Sequence, residues 1–135
     1  MTTPRYVKQK DKTGCGYACV AMLTNPPQSY EKIKRAHVGR RTTGLHTDNK
    51  EIKILLKEHG VEYEGRFRSV RGRAWSEISY LALVGCGFTK RTGNWHWIIF
   101  DGRSGLLYDP LSARHKPFQP DGRNRKPFIA LKIVR

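Results

Sequence analysis

The chain has 135 residues, and its 26 lysines and arginines outnumber 11 aspartates and glutamates for a formal net charge of +15. That length fits one domain, residues 1–135, large enough to bury a core, and no run of roughly eighteen apolar residues is present to span a membrane as a helix. The N-terminus has no apolar signal-peptide core, and three cysteines are too few and too odd in number for a disulfide framework, so a reduced, cytoplasmic chain is expected.

Residues 14–24 read as a first helix that stops at Asn25-Pro26-Pro27. A second is expected over 29–36, with Ser29 as cap and Glu31 in its first turn. A basic, glycine-bearing connection, 39–46, leads to a third over 49–59. There Thr47 or Asp48 is the cap, Ile52, Leu55 and Leu56 form one apolar stripe, and Gly60 marks the stop. From Val61 the period changes. Val61, Tyr63 and Phe67 predict an extended segment, and Trp75–Ile78 a helical turn. Strands follow over 79–85, 95–100, 106–109 and 128–134, with turns at 89–94 and 101–105. Helices first and strands later predict an α+β domain with a mostly antiparallel sheet.

The chemistry concentrates around Cys15. The first N–H groups of a helix lack intrahelical partners and carry partial positive charge, so a thiolate on the first turn is stabilised. Gln9, six residues upstream, is placed to return its side-chain amide to the sulfur, where with the Cys15 N–H it would hold an oxyanion. Gly14 and Gly16 flank the thiol and would let a substrate backbone come close. A thiol nucleophile needs a base, and the base needs a group that orients its ring. His96 lies in the strand Trp95-His-Trp-Ile-Ile-Phe100, and a hairpin turning at about residues 102–104 sets Asp109 directly opposite it.

Gln9, Cys15-Gly16 with Cys19 following, then Trp95-His96-Trp97 and Tyr108-Asp109-Pro110, resemble the C39 group of papain-like cysteine peptidases. The resemblance covers nearly the whole chain. It implies a papain-like fold with N-terminal helices packed on a C-terminal sheet. It also implies Gln9 as oxyanion donor, Cys15 as nucleophile, His96 as general base and acid, and Asp109 as its orienter. The activity implied is cleavage of an amide bond in a peptide or protein, as a peptidase or amidase, through an acyl-enzyme intermediate. No cofactor is expected, and no zinc, because Cys15 and Cys19 have no second compact ligand pair to join them.

Other residues take plainer roles. Cys19 and Cys86 read as core, Asp101 as a turn residue, Asp11 as a cap for the turn before Cys15, and His37, His46, His59 and His115 as loop or helix-end residues. Trp95 and Trp97, beside His96, are core or the floor of a groove. The basic segments Arg40-Arg41, Arg66–Arg73, Lys90-Arg91 and Arg123–Lys126 favour an anionic partner. A second reading follows from them: a basic binding module that docks a papain-like scaffold on nucleic acid or an acidic protein, its catalytic groups idle.

Overall fold

The computed structural model describes residues 3–38, 47–121 and 126–134. The predicted connection 39–46, with Arg40, Arg41 and His46, and most of the basic stretch Arg123–Lys126 lie outside the described residues. Three helices, α1 (Cys15–Leu23), α2 (Tyr30–Val38) and α3 (Asn49–Glu58), precede five strands: β1 (Tyr63–Ser69), β2 (Leu81–Thr89), β3 (Asn94–Asp101), β4 (Leu106–Tyr108) and β5 (Pro127–Ile133). A short 3-10 turn, Trp75–Glu77, precedes β2. The strands form one sheet in the order β1-β5-β2-β3-β4, and every neighbouring pair is antiparallel.

The helix ends follow from local chemistry. Ser29 caps α2 through its Oγ, which accepts from the Lys32 N–H at 3.1 Å. Asp48, rather than Thr47, caps α3: its side chain accepts from the Glu51 N–H at 2.8 Å, while the Glu51 carboxylate accepts from the Asp48 N–H at 3.2 Å, a reciprocal pair that satisfies two orphan donors. At the end of α1, the Thr24 hydroxyl donates back to the Ala21 carbonyl.

All nine residues of α1, CGYACVAML, are buried. A helix without a polar face must be covered on every side, and α1 packs against β3, α2 and α3. Its core includes Leu83, Trp97, Ile99 and Leu131 from one face of the sheet, with Ile52, Leu55 and Leu56 from α3. The opposite face buries Val84, Cys86, Ile98 and Phe100 under Val70, Ile78 and the partly buried Trp75. With both faces covered, β3 reads as a continuous apolar run rather than an alternating one.

Cys19 and Cys86 are buried in these two cores, as read from the sequence. Asp101 is buried in the β3–β4 turn, where it accepts from the Arg103 N–H at 3.0 Å and pairs with its guanidinium. His37 lies in the last turn of α2, at a helix end as expected, but not on a polar surface. It is buried, with Nδ1 2.7 Å from the Tyr17 hydroxyl and Nε2 3.0 Å from Glu51 Oε2, so one ring ties α1, α2 and α3 together.

Candidate active site

Cys15 opens α1, and its sulfur accepts a hydrogen bond from the Trp97 backbone N–H at 3.4 Å. The β3–β4 ladder covers Ile99–Asp101 against Leu106–Tyr108, so Trp97 lies beyond its end and its N–H meets the thiol instead of a strand. Backbone donors of a strand point along the plane of the sheet. Cys15 Sγ therefore sits at the sheet edge, within reach of a side chain on the face opposite α1. His96, two residues before Ile98 on that face, is this side chain.

His96 is 8% exposed, and its Nε2 lies 2.7 Å from Asp109 Oδ1. The hairpin register differs from the expected one by two residues: Ile99 pairs with Tyr108, so Asp109 falls in line with Ile98 and reaches His96 on the diagonal. A shift of two preserves the face, whereas a shift of one would have separated the pair. The Asp109 carboxylate is held by its own turn, since Oδ1 also accepts from the Leu111 N–H at 2.9 Å. Its carbonyl accepts from the Tyr6 hydroxyl at 2.8 Å. The N-terminal arm thus straps down the orienting group, with Gln9 N–H donating to the Pro110 carbonyl at 3.0 Å.

Burial opposes charging of His96, but hydrogen bonding to Asp109 and interaction with the Cys15 sulfur outweigh it, so the ring's pKa is raised to about 9. At neutral pH the ring is an imidazolium between the Asp109 carboxylate and the Cys15 sulfur. Burial pushes the Cys19 thiol, one turn further on, well above its ordinary value and leaves it protonated.

Gln9 is buried beside the turn, and both of its amide hydrogens are engaged: Nε2 donates to the carbonyls of Asp11 at 2.8 Å and Lys12 at 3.0 Å. Its Oε1 is buried without a partner among the described residues. In this arrangement Gln9 shapes the turn that leads to Cys15. Asp11 does not cap that turn with its side chain; its carboxylate accepts from the Tyr30 hydroxyl at 2.7 Å and pairs with Lys34 at 2.9 Å, fastening the turn to α2. The Lys34 and Tyr30 hydrogen bonds hold the Asp11 carboxyl below its usual range.

Packing requires the glycines on both sides of Cys15. A Cβ at Gly14 would overlap the Tyr30 hydroxyl, and one at Gly16 the Thr47 hydroxyl. Thr47 is held there by its carbonyl, which accepts from the Trp97 indole at 2.8 Å. The Tyr6 strap, the Trp97 N–H and the Thr47 contact were not singled out from the sequence. Only the nearness of Trp97 to His96 pointed to any of them.

The chain matches no protein-family model and no curated protein.

Proposed function

We propose that the protein is a papain-like cysteine hydrolase of the C39 kind that cleaves an amide bond in a peptide or protein through an acyl-enzyme. The observation that carries this reading is the His96 ring, bonded through Nε2 to Asp109 and in interaction with the thiol that opens α1. An α+β chain with a buried cysteine-bearing helix against an antiparallel sheet agrees with it.

The Cys15 thiolate, steadied by the helix N-terminus, the Trp97 N–H and the His96 imidazolium, attacks the carbonyl carbon. The carbonyl electron pair moves to oxygen, and the Cys15 N–H, which has no acceptor among the described residues, donates to that oxyanion. Gln9 joins it by turning one amide hydrogen from the Asp11 or Lys12 carbonyl. His96 gives its proton to the leaving amine as the C–N bond breaks, and a thioester remains on Cys15.

The raised pKa then matters twice. A ring that holds its proton at neutral pH is ready to serve as the acid of the first step. Once the sulfur is acylated and neutral it no longer holds a proton on the ring, so the ring that has given its proton to the amine stays neutral and is free to take one from the water that releases the acyl group.

An activated ester tests this directly. p-Nitrophenyl acetate should give a burst equal to one acetyl group per chain, with the added mass on Cys15 and no burst from Cys15→Ala. Acetylation spread over lysines, unchanged by Cys15→Ala, would remove the hydrolase reading.

A further inference from the structure

Apart from Cys15, His96 and Asp109 the surface carries a second feature. A groove of about 790 Å³ is lined by Arg71, Arg73, Lys90, Lys126, Phe88 and Phe128 among others, and no acidic residue is in its wall. None of the four cations is ion-paired among the described residues, and all four side chains are exposed. Like charges gathered along one groove without counter-ions repel one another, so the groove concentrates positive potential that a bound anion would relieve.

Its floor is aromatic. Phe88 and Phe128 lie 5.3 Å apart, and Trp95 packs on Phe128 at 5.7 Å and on Phe88 at 6.3 Å. Phe88 nevertheless remains 41% exposed, unusual for a ring with two aromatic neighbours at hand. A rigid ring with an open face, surrounded by unneutralised cations, matches the two needs of an unpaired nucleotide: a stacking platform for the base and positive charge for the phosphates. An acidic polypeptide would use the charges and leave the ring idle. A duplex keeps its base faces inside its own stack.

We propose that this groove binds a single strand of nucleic acid, with a base stacked on Phe88 and backbone phosphates on Arg71, Arg73, Lys90 and Lys126. The inference stands apart from the hydrolase reading, because none of these residues belongs to the Cys15, His96 and Asp109 cluster.

The test is fluorescence anisotropy of labelled oligothymidylate and oligouridylate with the full chain, over a salt series. Four phosphate contacts predict a log–log salt slope of about −3 for a single strand. Phe88→Ala should weaken binding about 5- to 150-fold, the range for one lost base stack. Phe88→Leu, which keeps the apolar packing, guards against misfolding and should also weaken binding. Strand binding should quench tryptophan fluorescence through Trp95, and Cys15→Ser should bind like the parent. Preference for one oligomer identifies DNA or RNA as the source of the strand. The proposal is overturned if duplex DNA or polyglutamate binds as tightly as the single strands. It is equally overturned if the Phe88 variants bind unchanged, or if removing Lys50, Lys53, Lys57 and Arg66, which line a separate pocket, costs as much as removing the groove's own cations.

Discussion

His96 and Asp109 are not opposite one another in the hairpin, yet their side chains meet at 2.7 Å. The ladder between β3 and β4 ends at Tyr108, and the turn that follows, closed by the Leu111 N–H on Asp109 Oδ1, swings the carboxylate along the strand to the ring. The carboxylate is thus placed by a turn and by the Tyr6 strap rather than by strand pairing, which leaves the sheet edge open for the thiol.

Asp109→Asn should bring the ring back toward the ordinary histidine value, because the largest influence raising it is the bond to Asp109. The ratio of alkylation by anionic iodoacetate to that by neutral iodoacetamide reports the imidazolium beside the sulfur. In the parent this ratio should fall with a midpoint near pH 9, and in the variant at lower pH. Turnover should drop by about 10²–10⁴, the usual contribution of a positioned acid–base group.

The same shift makes stability depend on pH. The folded chain holds the His96 proton up to about 9, the unfolded chain only to 6.5, so the stabilisation is complete below 6.5 and is lost as pH rises through about 9. Denaturant midpoints measured across that window should fall more steeply for the parent than for His96→Gln, which has nothing to titrate there. Parallel curves would show that the ring gains no proton affinity on folding.

Gln9→Ala should have two effects. Loss of an oxyanion donor slows turnover by about 10²–10³. Loss of the bonds to the Asp11 and Lys12 carbonyls loosens the turn and lowers stability, by about 1 kcal/mol for each hydrogen bond. Thermal melts and single-turnover rates separate the two. A lower melting temperature with full activity would leave Gln9 a purely structural role.

Gly16→Ala should destabilise the chain by about 1–3 kcal/mol, the range for overpacking, because the added methyl meets Thr47. Pairing it with Thr47→Ser, which removes the methyl but keeps the hydroxyl, should recover only part of the loss. Chemical denaturation of the single and double variants measures this. An unaffected midpoint would return Gly16 to the role of leaving room for substrate.

These effects divide along the line between what the sequence makes legible and what it does not. The α3 helix announces itself through Asp48, Glu51 and the Ile52, Leu55, Leu56 stripe, since caps and periodicity are local. The His96 and Asp109 pair is legible in type and face, because strand alternation has a period of two, but its register depends on where the turn closes, and Gly105 at φ 76° closes it later than expected. The role of Gln9 was only half legible. Spacing carries a side chain back toward the thiol, but which carbonyls it meets on the way is decided by the path of the turn. The burial of His37 is hidden for a related reason: its position at a helix end is legible and reads as polar, while its burial depends on Tyr17 and Glu51 from two other helices. The bonds from Trp97 to Cys15 and from Tyr6 to Asp109 each have a backbone atom at one end, the Trp97 N–H and the Asp109 carbonyl, and such atoms carry no residue-specific signal.

Thiol selectivity tests the central claim most directly. Cys15 is 7% exposed at the sheet edge, whereas Cys19 and Cys86 are at 0% and 1% inside the cores. Treated with iodoacetamide at neutral pH and read by peptide mass spectrometry, the native chain should take one carbamidomethyl group, on Cys15, faster than a free-thiol peptide does, and His96→Ala should remove that advantage. Labelling of Cys15 no faster than the peptide, and indifferent to His96→Ala, would contradict the account.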